Sequence, residues 1–339
     1  VNDTQANLII DLGSGYMKCG FPEQPEPIVI PAAFKNPKPR GSPSIFLELD
    51  PGRKAWLFPL EAGILPTETH VITKLCNLAL EQFPTMNKQR EKLQLTLLLF
   101  PQSQPNRVKK LCQDLQGALG CHSVDAVIQQ ISTWGYWGRK TGLIIDIGYT
   151  STFVTPIYRG FLLEEQILPL VTGSFFISAE IRKLLLHKSE TSPRNLAPHY
   201  ALLARNGKAI RTIKHTHCQV FPMAVNDVFE DNVDFSFEGL ELPLGPLPWQ
   251  ATEVLFQPTL LGVGDKGLTE AIVDVLMRVD TTVRAELAAN IVLTGGGSMI
   301  PGLSTRIETD LKAHTPHLTV KVFDLENPLY SGWLGTAKK

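Results

Sequence analysis

Ala6-Asn7-Leu8-Ile9-Ile10-Asp11-Leu12-Gly13-Ser14-Gly15-Tyr16-Met17-Lys18-Cys19-Gly20-Phe21 is the stretch from which the rest of the chain can be read. An apolar strand runs into Asp11, turns through Gly-Ser-Gly and returns carrying Lys18. The two glycines open backbone angles closed to other residues and let main-chain N–H groups approach an anion. Ser14 adds a hydroxyl donor, Lys18 a point charge, and Asp11 a carboxylate able to orient a hydrated cation. Taken alone, the stretch reads equally as a phosphate cradle or as a hairpin that needs its glycines. Two further glycine-rich turns, each directly after an apolar strand, favour the cradle. One follows Gly142-Leu143-Ile144-Ile145-Asp146, and the other follows Asn290-Ile291-Val292-Leu293.

Bulk properties bound the function. At 339 residues the chain is long enough for one or two α/β domains. A net charge of −1 argues against direct nucleic-acid binding, which wants a basic field. No apolar run approaches the ~18 residues of a membrane span, so no membrane partner is expected. Five scattered cysteines, none in a Cys-x-x-Cys pair, point to reduced thiols in a cytosolic or nuclear protein.

Periodicity supplies the elements between these turns. Short strands are expected at Ile28–Ile30 and Ile45–Leu47, within a proline-rich, basic segment. A helix is expected over Glu68–Glu81, and a buried strand over Leu93–Phe100. The next helix carries Val108, Leu111, Cys112, Leu115, Ala118 and Leu119 at a 3.6 period, with Asn106 as its cap. Phe153–Tyr158 pairs with Gly142–Asp146 as a hairpin. Helices follow around Phe176–Leu185 and over Leu196–Ile213, the latter broken at Asn206-Gly207. A hairpin within Phe229–Pro248 precedes helices at Leu268–Val279 and from Leu303 onward. Strand, hairpin and helix thus recur in one order around Asp11 and around Asp146. Two facing copies of a βββαβα-like unit put both aspartate turns at a shared cleft.

On these residues the chain resembles the actin and actin-related protein family, within the wider group of duplicated-domain sugar kinases and heat-shock ATPases. Asp11-Leu12-Gly13-Ser14-Gly15 with Lys18 looks like the family's first phosphate loop. Thr141-Gly142-Leu143-Ile144-Ile145-Asp146-Ile147-Gly148, with Pro156-Ile157-Tyr158-Arg159-Gly160, looks like the second. Leu255-Phe256-Gln257-Pro258, the run Leu293–Leu303 and Tyr330-Ser331-Gly332-Trp333-Leu334-Gly335 are similar to actins as against the kinases.

The resemblance implies an α/β, actin-like duplicated domain of ribonuclease H-like βββαβα units, with four subdomains around a nucleotide cleft. Subdomain 1 is then 1–31, 60–136 and 331–339, and subdomain 2 is 32–59. Subdomain 3 is 137–172 and 264–330, and subdomain 4 is 173–263. ATP or ADP with Mg2+, or Ca2+ in its place, is implied. The implied nucleotide contacts are Gly13, Ser14, Gly15, Tyr16, Lys18, Gly148, Tyr149, Thr150, Lys214, Gly295, Gly296, Ser298 and Met299. Asp11 and Asp146 are the implied metal carboxylates. Gln129 matches the family glutamine that positions the attacking water, and reads otherwise as a surface helix glutamine beside Gln130.

Departures from the family pattern bear on activity. Tyr149 and Thr150 stand where actins carry an aspartate and a glycine, and Phe153 where they carry the water-ordering histidine. His215 replaces a glutamate beside Lys214, and Leu329 replaces a lysine on the adenine side. His215 and His217 read as solvated. Phosphoryl transfer depends on positioning and charge, so nucleotide binding without effective hydrolysis is expected. Subdomain 2 is shortened and rich in proline (Pro37, Pro39, Pro43, Pro51), which disfavours self-polymerisation through that tip.

The resemblance therefore implies a non-catalytic subunit capping the pointed end of a short actin-related filament, in a dynactin-like complex for dynein transport. Its partners are a filament protomer on the barbed-end side and pointed-end proteins at subdomains 2 and 4. Its place is then cytoplasmic and cytoskeletal. Two alternatives stay open: a nuclear subunit of a chromatin-remodelling complex, and a polymerising actin-like ATPase.

Overall fold

The computed structural model describes residues 5–32, 34–35, 56–57, 69–101, 103–223 and 233–338. They fall into two compact units, divided at 140/141 and at 324/325.

The first unit is built on a five-stranded sheet. β1 (Ala6–Leu12), β2 (Tyr16–Gly20) and β3 (Ile28–Pro31) form an antiparallel meander. β4 (Phe34–Lys35) and β5 (Trp56–Leu57) pair apart from it. β6 (Leu93–Leu99) and β7 (Ser123–Ile128) then add in parallel beside β1, so the order is β3-β2-β1-β6-β7. Buried on both faces, β1 and β6 read as near-continuous apolar runs, as parallel strands do.

Helix α1 (His70–Glu81) buries Val71, Ile72, Leu75, Cys76, Ala79 and Leu80. A short α2 (Pro84–Asn87) follows. In α3 (Pro105–Leu119) only Leu111, Leu115 and Leu119 are buried, and Ala118 faces out. Asn106 does not cap this helix. Pro105, with its fixed φ, opens it, and Asn106 lies inside the first turn. Helix α4 (Gln129–Trp137) packs on a C-terminal helix, Ser331–Ala337, whose Trp333 is fully buried against Ile9 and Leu98. The expected strand at Ile45–Leu47 and most of the segment 32–59 lie outside the described residues.

The second unit repeats that plan. β8 (Gly142–Ile147), β9 (Thr152–Tyr158) and β10 (Phe161–Leu162) form the meander, and β11 (Leu168–Leu170) also pairs with β9. α5 (Ser174–Thr191), α6 (Ala197–Arg205) and α7 (Gly207–Thr216) follow. The break between α6 and α7 falls at Asn206, whose side chain accepts from the Lys208 and Ala209 N–H groups and so caps α7.

The hairpin β12–β13 (Asp234–Phe237, Leu240–Pro243) and a short α8 (Leu247–Gln250) precede α9 (Leu268–Arg278) and α10 (Thr281–Ala288). β14 (Ile291–Thr294), α11 (Leu303–His314) and β15 (Val322–Asp324) complete it. β14 and β15 join β8 in parallel, giving β10-β9-β8-β14-β15. Position for position this is the order of the first sheet, so the internal duplication is a fact of topology.

The apolar core of this unit runs from Leu143, Ile145 and Ile147 through Ile177 and Ile181 to Ile272, Leu276 and Ile307. Each fully buried Leu or Ile contributes about 1.5–3 kcal/mol. Within it, the buried Arg306 guanidinium donates to Glu253 (2.9 Å) and Asp310 (2.9 Å) and lies 4.3 Å over the Phe256 ring. This network ties the Leu255-Phe256-Gln257-Pro258 segment to α11.

Candidate functional site

In the first unit the hairpin register decides what the glycine turn presents. Asp11 lies directly across from Lys18 in the β1–β2 pair. Both side chains are buried, and Lys18 Nζ donates to Asp11 Oδ2 at 2.9 Å. The metal carboxylate and the phosphate cation expected from the sequence are thus joined to each other. Asp11 Oδ1, also buried, has no hydrogen-bond partner among the described residues. A buried carboxylate oxygen left so is costly, and a water or cation would satisfy it.

The turn itself is tight. Gly13 N–H donates to Asp11 O (3.1 Å), and Gly15 O accepts from Ala32 N–H (3.0 Å). A Cβ on Gly13 would stand 2.4 Å from Tyr16 O and 3.3 Å from Lys18 Nζ. The missing side chain therefore keeps the turn closed and the ammonium in place. Ser14 is buried and Tyr16 half-buried.

Gln129 belongs to the same unit, at the first position of α4. It is not a surface glutamine, and neither is Gln130: they are 6% and 0% exposed. A Cβ on Gly332 would lie 2.8 Å from Gln129 Cγ, so the glutamine is packed under the C-terminal helix.

In the second unit the equivalent register places Phe153, fully buried, across from Asp146. Where the first unit sets an ammonium opposite its aspartate, the second sets a benzyl ring. Past Asp146 the turn closes through Gly148 N–H to Ser151 O (2.9 Å). The carbonyls of Gly148 and Tyr149 accept from the N–H groups of Ser174 (3.0 Å) and Phe175 (2.8 Å), at the start of α5. Two first-turn N–H groups of that helix are thereby satisfied by the turn. Thr150 is half-buried beside them.

Lys214, on α7, reaches the same turn. Its Nζ lies 5.5 Å from the Tyr149 ring centroid and 3.4 Å from Ser174 O. Burial draws the lysine down to about 8, Cys218 opposing and Arg211 reinforcing the shift. Burial and the Lys214 and Arg211 charges also lower His215, which is exposed. His217 is not simply solvated: its ring packs edge-on against Phe235 at 5.6 Å.

The third glycine cluster serves this unit's interior. A Cβ on Gly295 would meet Asp146 Oδ1 at 2.4 Å, and one on Gly297 would meet Ile147 Cγ2 at 2.4 Å. Ser298 Oγ donates to Gly295 O (2.8 Å), fastening the turn, while Gly296 and Met299 are exposed. Gly295 and Ser298, both attributed to a nucleotide, thus have structural work of their own, as does Gly297 between them. The close contact of Gly295 with Asp146 is what sequence reasoning missed, and no residue pattern announces it.

Among the described residues no group of three or more His, Cys, Asp or Glu side chains is placed to hold a metal unaided. A hydrated Mg2+ needs only one or two carboxylates when phosphates supply the rest. The buried Asp11, with its orphan oxygen, suits that role. The residues present fit a metal–nucleotide ligand. No described helix is long and apolar enough to cross a membrane.

Comparison with known proteins agrees with this architecture. The family model described as Actin matches residues 2–338. Actin-related protein 2 of Schizosaccharomyces pombe (strain 972 / ATCC 24843) is 25% identical to this chain over 367 residues, covering 98% of this chain and 90% of that protein. With a family model spanning nearly its whole length and one sheet order repeated in both units, the chain belongs to the actin family.

Proposed function

We propose that this actin-related chain is a structural subunit that binds ATP or ADP with Mg2+ and has little or no hydrolysis of its own. Asp11 and Asp146 would hold the hydrated cation, and the turns at Gly13–Gly15 and Gly148–Thr150 would take the phosphates. The cation, when bound, neutralises the polyphosphate. The observation that carries the loss of turnover is the contrast in cross-strand partners, Lys18 opposite Asp11 against Phe153 opposite Asp146. An apolar ring at that position can neither order a water nor take a proton, and phosphoryl transfer has few other sources of rate.

The further reading is a cap on the pointed end of a short actin-related filament, in a dynactin-like complex serving dynein transport in the cytoplasm. The likeness to Actin-related protein 2 supports an actin-related subunit in general. The choice of complex rests on Tyr149 in Ile147-Gly148-Tyr149 and on the shortened segment 32–59. A filament protomer would meet the barbed-end side, and pointed-end proteins would meet subdomains 2 and 4.

The test is made on purified protein. Nucleotide released by denaturation should be adenine nucleotide near one per chain, phosphate release should stay at background, and no homopolymer should sediment. Purification from cells should bring down dynactin subunits. Sustained phosphate release or sedimenting polymer would restore the polymerising ATPase, and recovery with chromatin remodellers would make the nuclear subunit the better reading.

A further inference from the structure

Lys214 is a cation with no counter-ion among the described residues. Its ammonium is drawn into the second unit by α7, yet among the described residues no carboxylate approaches it. Its polar partner is a carbonyl at 3.4 Å, and its other contact is the face of the Tyr149 ring. Four lysines of the unit are ion-paired, Lys183 with Glu180, Lys208 with Glu238, Lys266 with Asp274 and Lys312 with Glu308, whereas Lys188 and Lys321, like Lys214, lie over aromatic rings. Arg211, one turn earlier on α7, adds positive potential at the same place and helps to lower the proton affinity of Lys214, while the two charges together hold His215 toward its neutral form. A half-buried ammonium held by a carbonyl and an aromatic face will exchange that face for an anion when one is offered.

Tyr149 is held where it can refuse the exchange. Its carbonyl accepts from Phe175 N–H, and its ring meets the Phe175 ring edge-on at 5.6 Å. Gly173 allows this closeness, since a Cβ there would lie 2.6 Å from Tyr149 O. The ring is therefore docked on α5 while its face also meets Lys214.

We infer that Tyr149 is a built-in competitor, its ring holding the Lys214 ammonium that an anionic nucleotide would otherwise engage. Tyr149 thereby sets the affinity and exchange rate of the ligand at this turn. This rests on the nucleotide reading for the ligand's identity but not for the Tyr149–Lys214 contact, and the experiment separates the two.

Two readouts are needed. ATP affinity is measured by calorimetry for the full chain, Tyr149→Ala, Tyr149→Leu, Lys214→Met and the double variant Tyr149→Ala/Lys214→Met. Tyr149→Leu keeps bulk against Phe175, so it reports even where Tyr149→Ala folds poorly. In parallel, Lys214 is labelled with an amine-reactive ester without ligand, and its modification is compared with that of Lys208 in the same sample.

Release of a cation–π contact should tighten ATP about threefold to thirtyfold in the Tyr149 variants. Lys214 labelling should rise several-fold, and the double variant should bind ATP no tighter than Lys214→Met alone. If no form binds ATP, but Lys214 labelling rises in the Tyr149 variants and tripolyphosphate suppresses it only there, the nucleotide reading falls and the competitor stands. Unchanged Lys214 labelling, or ATP affinity equal to or weaker than that of the full chain in both Tyr149 variants, overturns the competitor and leaves nucleotide binding intact.

Discussion

At the scale of single residues, the sharpest constraint is at Gly295. Its backbone, at φ 83° and ψ 162°, lies in a region essentially reserved for glycine. A methyl group there would also press on the Asp146 carboxylate at 2.4 Å and on Ile147 O at 2.5 Å. Gly295→Ala should lose about 1–3 kcal/mol to backbone strain alone, with the clash in addition. Gly296→Ala, at an exposed neighbour, should stay within about 0.5 kcal/mol of wild type. Urea midpoints of the two variants would expose the idea as wrong if they moved together. The Asp11–Lys18 pair makes a second residue-scale case. Breaking a buried pair from one side leaves a stranded charge, typically at a cost of about 3–5 kcal/mol. Lys18→Met should therefore cost more than the double variant Asp11→Asn/Lys18→Met, in which neither charge remains. A double variant as unstable as the sum of its singles would show that the pair is not coupled.

At the scale of elements, two helices some two hundred residues apart in sequence depend on a missing side chain. A Cβ on Gly335 would stand 1.7 Å from Ser132 O, so α4 and the C-terminal helix touch backbone to backbone. Thr336 Oγ1 donates to Ser132 Oγ at 2.8 Å across the same contact, and Thr133 Oγ1 lies 3.3 Å from Ser331 Oγ. In an isolated helix, Gly335→Ala would gain about 1 kcal/mol of propensity. Here overpacking, at about 1–3 kcal/mol or more, should win and push Trp333 from its seat against Ile9 and Leu98. A red-shifted tryptophan emission and a lower melting temperature are expected, and a stabilised protein would refute this packing. The same pair shows where sequence reading stops. The apolar strands and their glycine turns were legible because burial on both faces writes continuous apolar runs. Neither α4 nor the C-terminal helix was, since Gly135, Gly332 and Gly335 are poor helix formers chosen for a contact with another helix. For the same reason Gln129 read as either surface or site: its burial comes from Gly332, on an element far away in the chain. Tyr149 and Phe153 were legible as departures, but their partners, Lys214 with Phe175 and Asp146, came only from register and packing.

At the scale of the whole molecule, the two units share a topology but differ in how they titrate. All five cysteines are free thiols. In the first unit burial pushes Cys19 and Cys76 up to about 12 and raises Cys112 and Cys121. In the second, Cys218 alone is raised to about 12, and Lys214 is lowered to about 8. A thiol whose folded value exceeds its ordinary 9 keeps its proton while the unfolded chain releases it. Its stabilisation is complete below pH 9 and is lost as pH rises toward 12. Lys214 has the opposite sign: the unfolded lysine holds a proton that the folded one has shed, so stability is regained between pH 8 and about 10.5. Each group is worth roughly 1.4 kcal/mol per pH unit of its window. Four thiols with no such opposition act on the first unit, whereas in the second Lys214 offsets Cys218 over much of the range. Between pH 9 and about 10.5 the first unit should therefore open before the second. Hydrogen exchange, corrected for its intrinsic pH dependence, should lose protection in β1 and β6 at a lower pH than in β8 and β14. In a Cys19→Ala/Cys76→Ala chain the gap between the units should narrow. Equal loss of protection in both units, or a gap indifferent to those substitutions, would mean that the buried thiols do not set the alkaline limit.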